Sequence, residues 1–191
     1  MTTLPSNIAD RGTLFTEIDQ FLSVHRTDKK KLALLLININ HFRQINIVYG
    51  HQSGDLLLGE FCRRLNKLSR GHDYIARMGN SEFILVLPEI LNEGHAALAA
   101  HKLISILNEP FDLGTGKHKV TIDIGITLFP DHAIGINELF QKSEIALLDA
   151  RNSLQSYAIY SENTQKSYIN SWDIEIELQN ARDHDESPPF L

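Results

Sequence analysis

Apolar residues three or four positions apart mark several amphipathic helices along this sequence. Side chains at that spacing share one helix face, and an apolar face is normally buried against the rest of the fold. The spacing predicts six helices, over residues 14–24, 41–49, 53–68, 93–107, 136–151 and 161–182. Gly50 is expected to end the second helix, and Ser53 is expected to cap the third.

Short apolar stretches without helical spacing predict the strands. Residues 32–37 form a continuous apolar run, which is typical of a central strand covered on both faces. Residues 74–78 and 82–87 are predicted to form a β-hairpin, because Gly79 and Asn80 between them tolerate a positive φ. Two more strands are predicted over residues 119–129 and 157–160.

These elements follow one another in the order α-β-α-α-β-β-α-β-α-β, and the sixth helix comes last. A strand followed by helices, a hairpin, another helix and another strand indicates the α+β class. We therefore expect a ferredoxin-like central sheet that contains antiparallel strands and is flanked by helices. Additional helices are expected at the N-terminal and C-terminal ends.

Composition and charge narrow the possible functions. The 191 residues, of which 42% are hydrophobic and 22% charged, suit one globular domain with some additional structure at an end. The formal net charge of -6 argues against a nucleic-acid binder, because such proteins usually carry a basic surface. A local arginine cluster can still hold a small anionic ligand within an acidic protein.

The single cysteine, Cys62, excludes an internal disulfide, and no Cys/His spacing of a metal site accompanies it. A reducing, cytoplasmic location fits this usage. The longest apolar run, residues 32–37, is far too short to span a bilayer. We therefore expect no membrane segment in this chain, whereas the parent protein could be membrane-associated.

Four segments of the sequence together resemble GGDEF domains, the domains of diguanylate cyclases. Residues 34–55 (LLLININHFRQINIVYGHQSGD) resemble the first family signature, and RMGNSEF at 77–83 stands at the naming motif. IGIT at 124–127 resembles the "SIGIA" strand, and EIALLDAR at 144–151 resembles the "ADxALYxAK" helix. The segments occur in the family order and spacing over residues 8–160, so the resemblance also implies a nucleotidyl-cyclase-type sheet.

The resemblance implies a reaction in which two GTP molecules are joined into cyclic di-GMP with the help of Mg²⁺. The family's two metal carboxylates correspond to Asn38 and Ser81, which are neutral. Asn80 stands in place of the second glycine of the motif. We therefore expect no metal site and no required cofactor, although Mg²⁺ and GTP stay possible ligands. The catalytic motif is expected to be degenerate and consists of Gly79, Asn80, Ser81, Glu82 and Phe83.

Several nucleotide contacts of the family have counterparts in this chain. Asn46 and Asp55 match the residues that contact guanine, while Arg43 and Arg151 match residues that contact phosphates. Gln155 stands where the family has a further phosphate-binding arginine. The alternative is that Asn46 caps a turn and that Asp55 lies in the first turn of a helix, where the dipole favours a carboxylate.

Arg70 and Asp73 match the family's RxxD inhibitory motif, which the resemblance associates with cyclic di-GMP. An arginine can donate to guanine O6 and N7, and a carboxylate can accept from the N–H edge. The family adds another arginine from the following helix, for which His101 or Lys102 is nearest in register. The alternative is that both RxxD side chains are simply solvated.

We expect three regions along the chain: a degenerate GGDEF domain over 1–160, a linker helix over 161–182 and a flexible tail over 183–191. The helix resembles the segment that joins GGDEF domains to EAL phosphodiesterase domains, so an EAL domain is a possible partner in a longer chain. The alternative is a C-terminal helix that packs on its own domain.

Three hypotheses for function follow. The first is a regulatory module that responds to GTP or cyclic di-GMP without cyclase activity. The second is an active diguanylate cyclase with atypical metal ligands. The third is a structural domain for dimerisation or scaffolding. A homodimer is possible under each of them, and nucleic acid is an expected partner under none.

Overall fold

The computed structural model describes residues 11–25 and 30–185, which divide into two compact units between Tyr160 and Ser161. The elements of the first unit are α1 (Arg11–His25), β1 (Lys31–Ile39), α2 (Phe42–Tyr49), α3 (His51–Leu68), β2 (Tyr74–Arg77), β3 (Glu82–Ile90), α4 (Glu93–Leu107), β4 (Phe111–Asp112), β5 (Lys117–His118), β6 (Ile122–Phe129), α5 (Ile136–Asn152) and β7 (Tyr157–Ile159). The second unit contains α6 (Glu162–Asp185).

A five-stranded mixed sheet forms the centre of the first unit, with strand order β2-β3-β1-β6-β7. The central strand β1 is antiparallel to β3 and β6, whereas β7 is parallel to β6. Helices cover both faces of the sheet, which confirms the predicted α+β class with a flanked sheet that contains antiparallel strands.

The continuous apolar run of β1 is buried on both faces, as its sequence predicts. Successive side chains of a strand point to opposite faces, so β1 contributes to two hydrophobic clusters. Leu35 and Ile37 belong to the cluster with α3 and α4. Leu34 and Leu36 belong to the cluster with α1 and α5. Neighbouring residues of one strand thus hold helices on both sides.

Helix α5 lies directly against β6 at Gly125. A Cβ at position 125 would stand 2.0 Å from the carbonyl oxygen of Ser143 and 2.4 Å from the backbone nitrogen of Leu147. Only glycine leaves room for this backbone contact. The contact fixes α5 on the sheet and therefore places Arg151, near the end of α5, beside the ends of β1 and β6.

The predicted cap at Ser53 is wrong. Helix α3 begins two residues earlier, at His51, and its N-cap is Gly50, whose φ is +83°. Ser53 is buried, and its hydroxyl donates to the carbonyl of Leu113 at 3.0 Å. The segment that follows α4 covers this end of α3, so the hydroxyl bonds to that segment instead of the helix end.

The hairpin between β2 and β3 forms, but the reason predicted for its turn is wrong. Neither Gly79 nor Asn80 has a positive φ. Instead, the guanidinium of Arg77 donates to the carbonyl of Gly79 at 2.8 Å and to that of Asn80 at 3.2 Å. A side chain from the end of β2 therefore satisfies the backbone of the turn.

The strand predicted over 119–129 begins later than expected, at Ile122. Before it, the chain forms a two-stranded ribbon of β4 and β5, in which Phe111 pairs with His118. Strands of two residues are too short to show a periodicity, so the sequence could not predict this ribbon.

In the second unit, α6 extends through residues 183–185, which the sequence analysis assigned to the tail, and residues 186–191 lie outside the described part. Large apolar side chains of α6 are exposed, among them Ile169 and Trp172. Among the described helices, none combines the length and the apolar character needed to cross a membrane.

Candidate functional site

Three polar residues form a row across the end of the sheet. Asn38 of β1 lies opposite Glu82 of β3 on one side and opposite Asp123 of β6 on the other. Directly opposed residues of antiparallel strands project from the same face. The polar row lies on the face covered by α5, because Asn38 points the same way as Leu34 and Leu36.

Asn38 and Ser81, which the resemblance matched to metal carboxylates, lie in direct contact. The Ser81 hydroxyl donates to Oδ1 of Asn38 at 3.4 Å, and the Asn38 amide nitrogen donates to Oδ1 of Asn40 at 3.2 Å. The Ser81 carbonyl accepts from the Ile39 N–H at 2.9 Å. The β1–β3 pairing thus brings these positions together although 42 residues separate them in the sequence.

This pair is a poor site for Mg²⁺. Both side chains are neutral, and Mg²⁺ sites in proteins rely on carboxylate oxygens to offset the loss of hydration. The Asn38 oxygen is also engaged by the Ser81 hydroxyl. Within residues 11–25 and 30–185, no group of three or more His, Cys, Asp or Glu side chains is placed to hold a metal ion.

Asp123 is a carboxylate of this region that the sequence analysis missed. Burial raises its pKa, while a hydrogen bond from Asn40 and the positive charge of Arg151 partly oppose that shift. The Arg151 Nε lies 3.7 Å from Oδ2 of Asp123. The available signal was the one acidic residue in a mostly apolar strand, but its place beside Asn38 depends on the strand register.

Two carboxylates, those of Glu82 and Glu144, lie near each other at the other end of the polar row. Burial raises the pKa of Glu144 on α5, and the neighbouring charge of Glu82 raises it further. Arg11 of α1 opposes this shift. Glu82, the one acid retained from the motif, therefore faces another carboxylate from α5.

A cleft beside the hairpin turn, which we call the hairpin cleft, has a volume of about 530 Å³. It brings Arg43 and Asn46 next to Asn80 and Ser81; its lining is Phe42, Arg43, Asn46, Ile47, His51, Asn80 and Ser81. Asn46 lies within α2 and does not cap a turn, so that alternative reading is wrong.

Asn46 also lies against the backbone of α3. A Cβ at Gly54 would stand 1.9 Å from Oδ1 of Asn46, so a larger residue there would displace the Asn46 amide from this position. Asp55 does not line the hairpin cleft. It is exposed on α3 and borders a different cleft of about 680 Å³ with Leu56 and Lys117. Because α3 begins at His51, Asp55 lies beyond the first turn, and the helix-dipole explanation is also wrong.

A further cleft, of about 550 Å³, lies at the start of β6 and is called the β6 cleft here. The predicted phosphate residue Arg151 and the substituted Gln155 both line it, together with Asn38 and Asp123. Its full lining is Asn38, Asn40, His41, Gln44, Thr121, Ile122, Asp123, Ala150, Arg151, Leu154, Gln155 and Ser156. Arg43 and Arg151 thus line different clefts.

The RxxD residues form a tight turn before β2. The Asp73 N–H donates to the Arg70 carbonyl at 3.0 Å, and the Arg70 N–H donates to Oδ2 of Asp73 at 2.6 Å. Both side chains line a cleft of about 340 Å³, which we call the RxxD cleft. Its other lining residues are Leu68, His72, Leu85, Leu87, Pro88, Glu89, Ile90, His95, Leu98, Ala99, Lys102 and Leu103.

Helix α4 supplies a cation to the RxxD cleft. Of the two residues considered for this role, Lys102 lines the cleft. The ring Nε2 of His101 lies 3.2 Å from the hydroxyl of Tyr157 and contributes nothing to the cleft lining. His95 lines the cleft as well, which the sequence analysis did not anticipate.

The comparison with protein families gives one match over most of the chain. Residues 4–156 match the family described as diguanylate cyclase, GGDEF domain. Among curated proteins, the chain is 28% identical over 162 residues to the bifunctional diguanylate cyclase/cyclic di-GMP phosphodiesterase MucR of Pseudomonas aeruginosa. That alignment covers 85% of this chain but only 24% of MucR.

Solved structures share the fold. The GGDEF domain of TpbB from Pseudomonas aeruginosa has a TM-score of 0.81 at 24% identity, and the comparison covers 87% of this chain and 99% of that one. The GGDEF domain of DgcB from Caulobacter crescentus, solved in complex with cyclic di-GMP, has a TM-score of 0.71 at 17% identity, over 84% and 95% of the two chains.

Proposed function

Because this chain belongs to the GGDEF domain family of diguanylate cyclases, we propose that it is a catalytically degenerate member with a regulatory role in cyclic di-GMP signalling. The proposed module responds to a guanine nucleotide or to cyclic di-GMP and requires no cofactor. The main support for the proposed loss of catalysis is the pair Asn38 and Ser81, which the family match places at the metal carboxylates. Both side chains are neutral, and they are hydrogen bonded to each other.

The family reaction depends on charges that this pair does not supply. A 3′-hydroxyl of one GTP attacks the α-phosphate of another, and negative charge develops on the phosphoryl oxygens. Preorganised charge of this kind is a large contribution to catalysis, since loss of one stabilising group typically lowers kcat by about 100-fold or more. The substitution of both metal carboxylates therefore argues against turnover.

The chemistry of the RxxD cleft supports cyclic di-GMP as the ligand. Arg70 can donate two hydrogen bonds to guanine O6 and N7, and Asp73 can accept from the guanine N–H groups. Lys102 adds a positive charge for a phosphate. The cleft also has an apolar wall from the sheet and α4, against which a flat base can pack.

The proposed role lies within a longer protein. The chain spans only 24% of MucR, whose name gives it both a cyclase and a phosphodiesterase activity. Helix α6 would then be the linker toward an EAL domain, and ligand binding to the GGDEF domain would bias that neighbour. The proposal places the domain in the cytoplasm and is compatible with a homodimer.

Calorimetry on the purified chain tests the proposal. We expect cyclic di-GMP to bind and no cyclic di-GMP to form from GTP with Mg²⁺ or Mn²⁺, relative to a denatured control. Arg70→Ala should weaken cyclic di-GMP binding by about tenfold or more, since a bidentate arginine–guanine contact contributes about 1–3 kcal/mol. The matched control is Arg63→Ala, which removes an exposed arginine of α3 that does not line the RxxD cleft.

Each rival function has its own outcome in this experiment. Product formation above the denatured control would support an active cyclase with atypical ligands. Absence of binding by both cyclic di-GMP and GTP at high micromolar concentration would support a dimerisation or scaffold domain. An Arg70→Ala variant with unchanged affinity would show that cyclic di-GMP binds elsewhere.

A further inference from the structure

The β6 cleft holds a carboxylate next to the cation that matches the family's phosphate contact. Asp123 and Arg151 both line this cleft, and their charged groups are 3.7 Å apart. The Asp123 side chain is 14% exposed, whereas that of Arg151 is 40% exposed. A phosphate that approached Arg151 in this cleft would therefore meet the negative charge of Asp123 as well.

The Asp123 carboxylate is held in position. The Asn40 amide donates to it and also to the Thr121 hydroxyl at 3.3 Å. Asn40 is in turn bonded to Asn38 at 3.2 Å. These hydrogen bonds join the end of β1 to the start of β6 and orient the carboxylate beside Arg151.

We propose that Asp123 is a specificity-determining residue that excludes the phosphates of GTP from the β6 cleft by neutralising Arg151 and repelling the incoming anion. This inference deepens the proposed function and rests on it: the domain would discriminate against GTP at the former substrate site. Cyclic di-GMP at the RxxD cleft would be unaffected, because Asp123 does not line that cleft.

The charges of the cleft lining support this inference. Arg151 is the one Lys or Arg side chain among the described residues that line it, and Asp123 cancels that charge. His41 is the one further titratable side chain of the lining, and the polar residues Asn38 and Gln155 are neutral. A triphosphate thus finds no net positive charge here, whereas a neutral guanosine would meet no electrostatic penalty.

The test compares two ligands on the full chain by calorimetry at pH 8 with EDTA: GTP and guanosine. We expect Asp123→Asn to bind GTP about tenfold more tightly than the wild type, since removal of a close like charge has an effect of this order or larger. Its guanosine affinity should equal that of the wild type. Asp123→Ser should behave in the same way, which guards against a defect particular to one variant.

Two controls isolate the cause. Asp131→Asn removes the same unit of charge from a residue that pairs with Lys31, outside the β6 cleft, and should leave both affinities unchanged. Arg151→Gln combined with Asp123→Asn should remove the gain in GTP affinity, because the released cation would then be absent.

Three results would overturn the inference. GTP affinity that stays equal or falls in Asp123→Asn would show that the carboxylate does not exclude phosphates, and undetectable GTP binding by this variant counts the same way. Wild-type GTP binding that strengthens with Mg²⁺, with the increase lost in Asp123→Asn, would make Asp123 a metal ligand. A parallel titration with cyclic di-GMP reports separately on the proposed function.

Discussion

Asn38 and Ser81 form a hydrogen bond that two ionised carboxylates could not form. An amide oxygen and a hydroxyl form a hydrogen bond across β1 and β3 without any ion. Two carboxylates at this distance would repel each other unless a cation stood between them, and the pKa of one of the two carboxyl groups would rise strongly. The neutral pair therefore favours a fold that is stable without a metal.

Restoration of the two acids makes this difference measurable. We expect Asn38→Asp combined with Ser81→Asp to lower the free energy of unfolding by about 1–3 kcal/mol in EDTA, because two close anions replace a hydrogen bond. Mg²⁺ should recover part of that loss and strengthen GTP binding. Thermal melts and GTP calorimetry, each with EDTA and with Mg²⁺, measure both effects.

A single acid introduced next to the β6 cleft provides the control for the double variant. Gln44→Glu adds a carboxylate to the β6 cleft at a position that is not one of the two metal positions. It should show no recovery by Mg²⁺. If the double variant shows no Mg²⁺ dependence either, the neutral side chains at positions 38 and 81 do not explain the proposed lack of cyclase activity.

At the scale of secondary structure, the sequence predicted the elements that bury a complete face. The continuous run of β1 and the helical spacing of α3 and α5 follow directly from burial, and these elements lie where they were expected apart from the start of α3. The Ser53 cap and the β4–β5 ribbon were not predictable in the same way. The Ser53 hydroxyl bonds to a residue 60 positions away, and the ribbon strands have only two residues each. Local spacing indicates neither feature.

The packing of α5 on β6 gives a prediction for these two elements. Gly125→Ala should lower the free energy of unfolding by about 1–3 kcal/mol, because the new Cβ would overlap backbone atoms of α5 that cannot move aside separately. The shift of α5 should also displace Arg151 from Asp123. Denaturant unfolding measures the loss of stability.

Gly59 supplies the matched substitution within α3. A Cβ at this position has no atom within 4 Å, so Gly59→Ala should be neutral or stabilise the helix by roughly 0.5–1 kcal/mol. Equal stability of Gly125→Ala and the wild type would contradict the close packing of α5 on β6.

At the scale of the whole molecule, the sequence suggested candidate site residues but not how they group into clefts. Asn38 and Ser81 lie together because the pairing of β1 with β3 joins segments that are distant in the sequence. Asp123 escaped notice because its neighbours depend on the register of β6 against β1. Asp55 and Asn46 are only nine residues apart, yet they line different clefts, because the orientations of α2 and α3 decide where each side chain points.

The division of the chain between Tyr160 and Ser161 leads to a prediction about where ligand binding resides. All residues that line the RxxD cleft lie between positions 68 and 103, within the first unit. A chain that ends at Tyr160 should therefore bind cyclic di-GMP within about twofold of the full chain, since no lining contact is removed. Calorimetry on both chains, with circular dichroism melts to establish folding, measures this. A folded truncated chain with more than about tenfold weaker binding would show that residues 161–191 take part in the ligand response, and the RxxD cleft alone would no longer account for it.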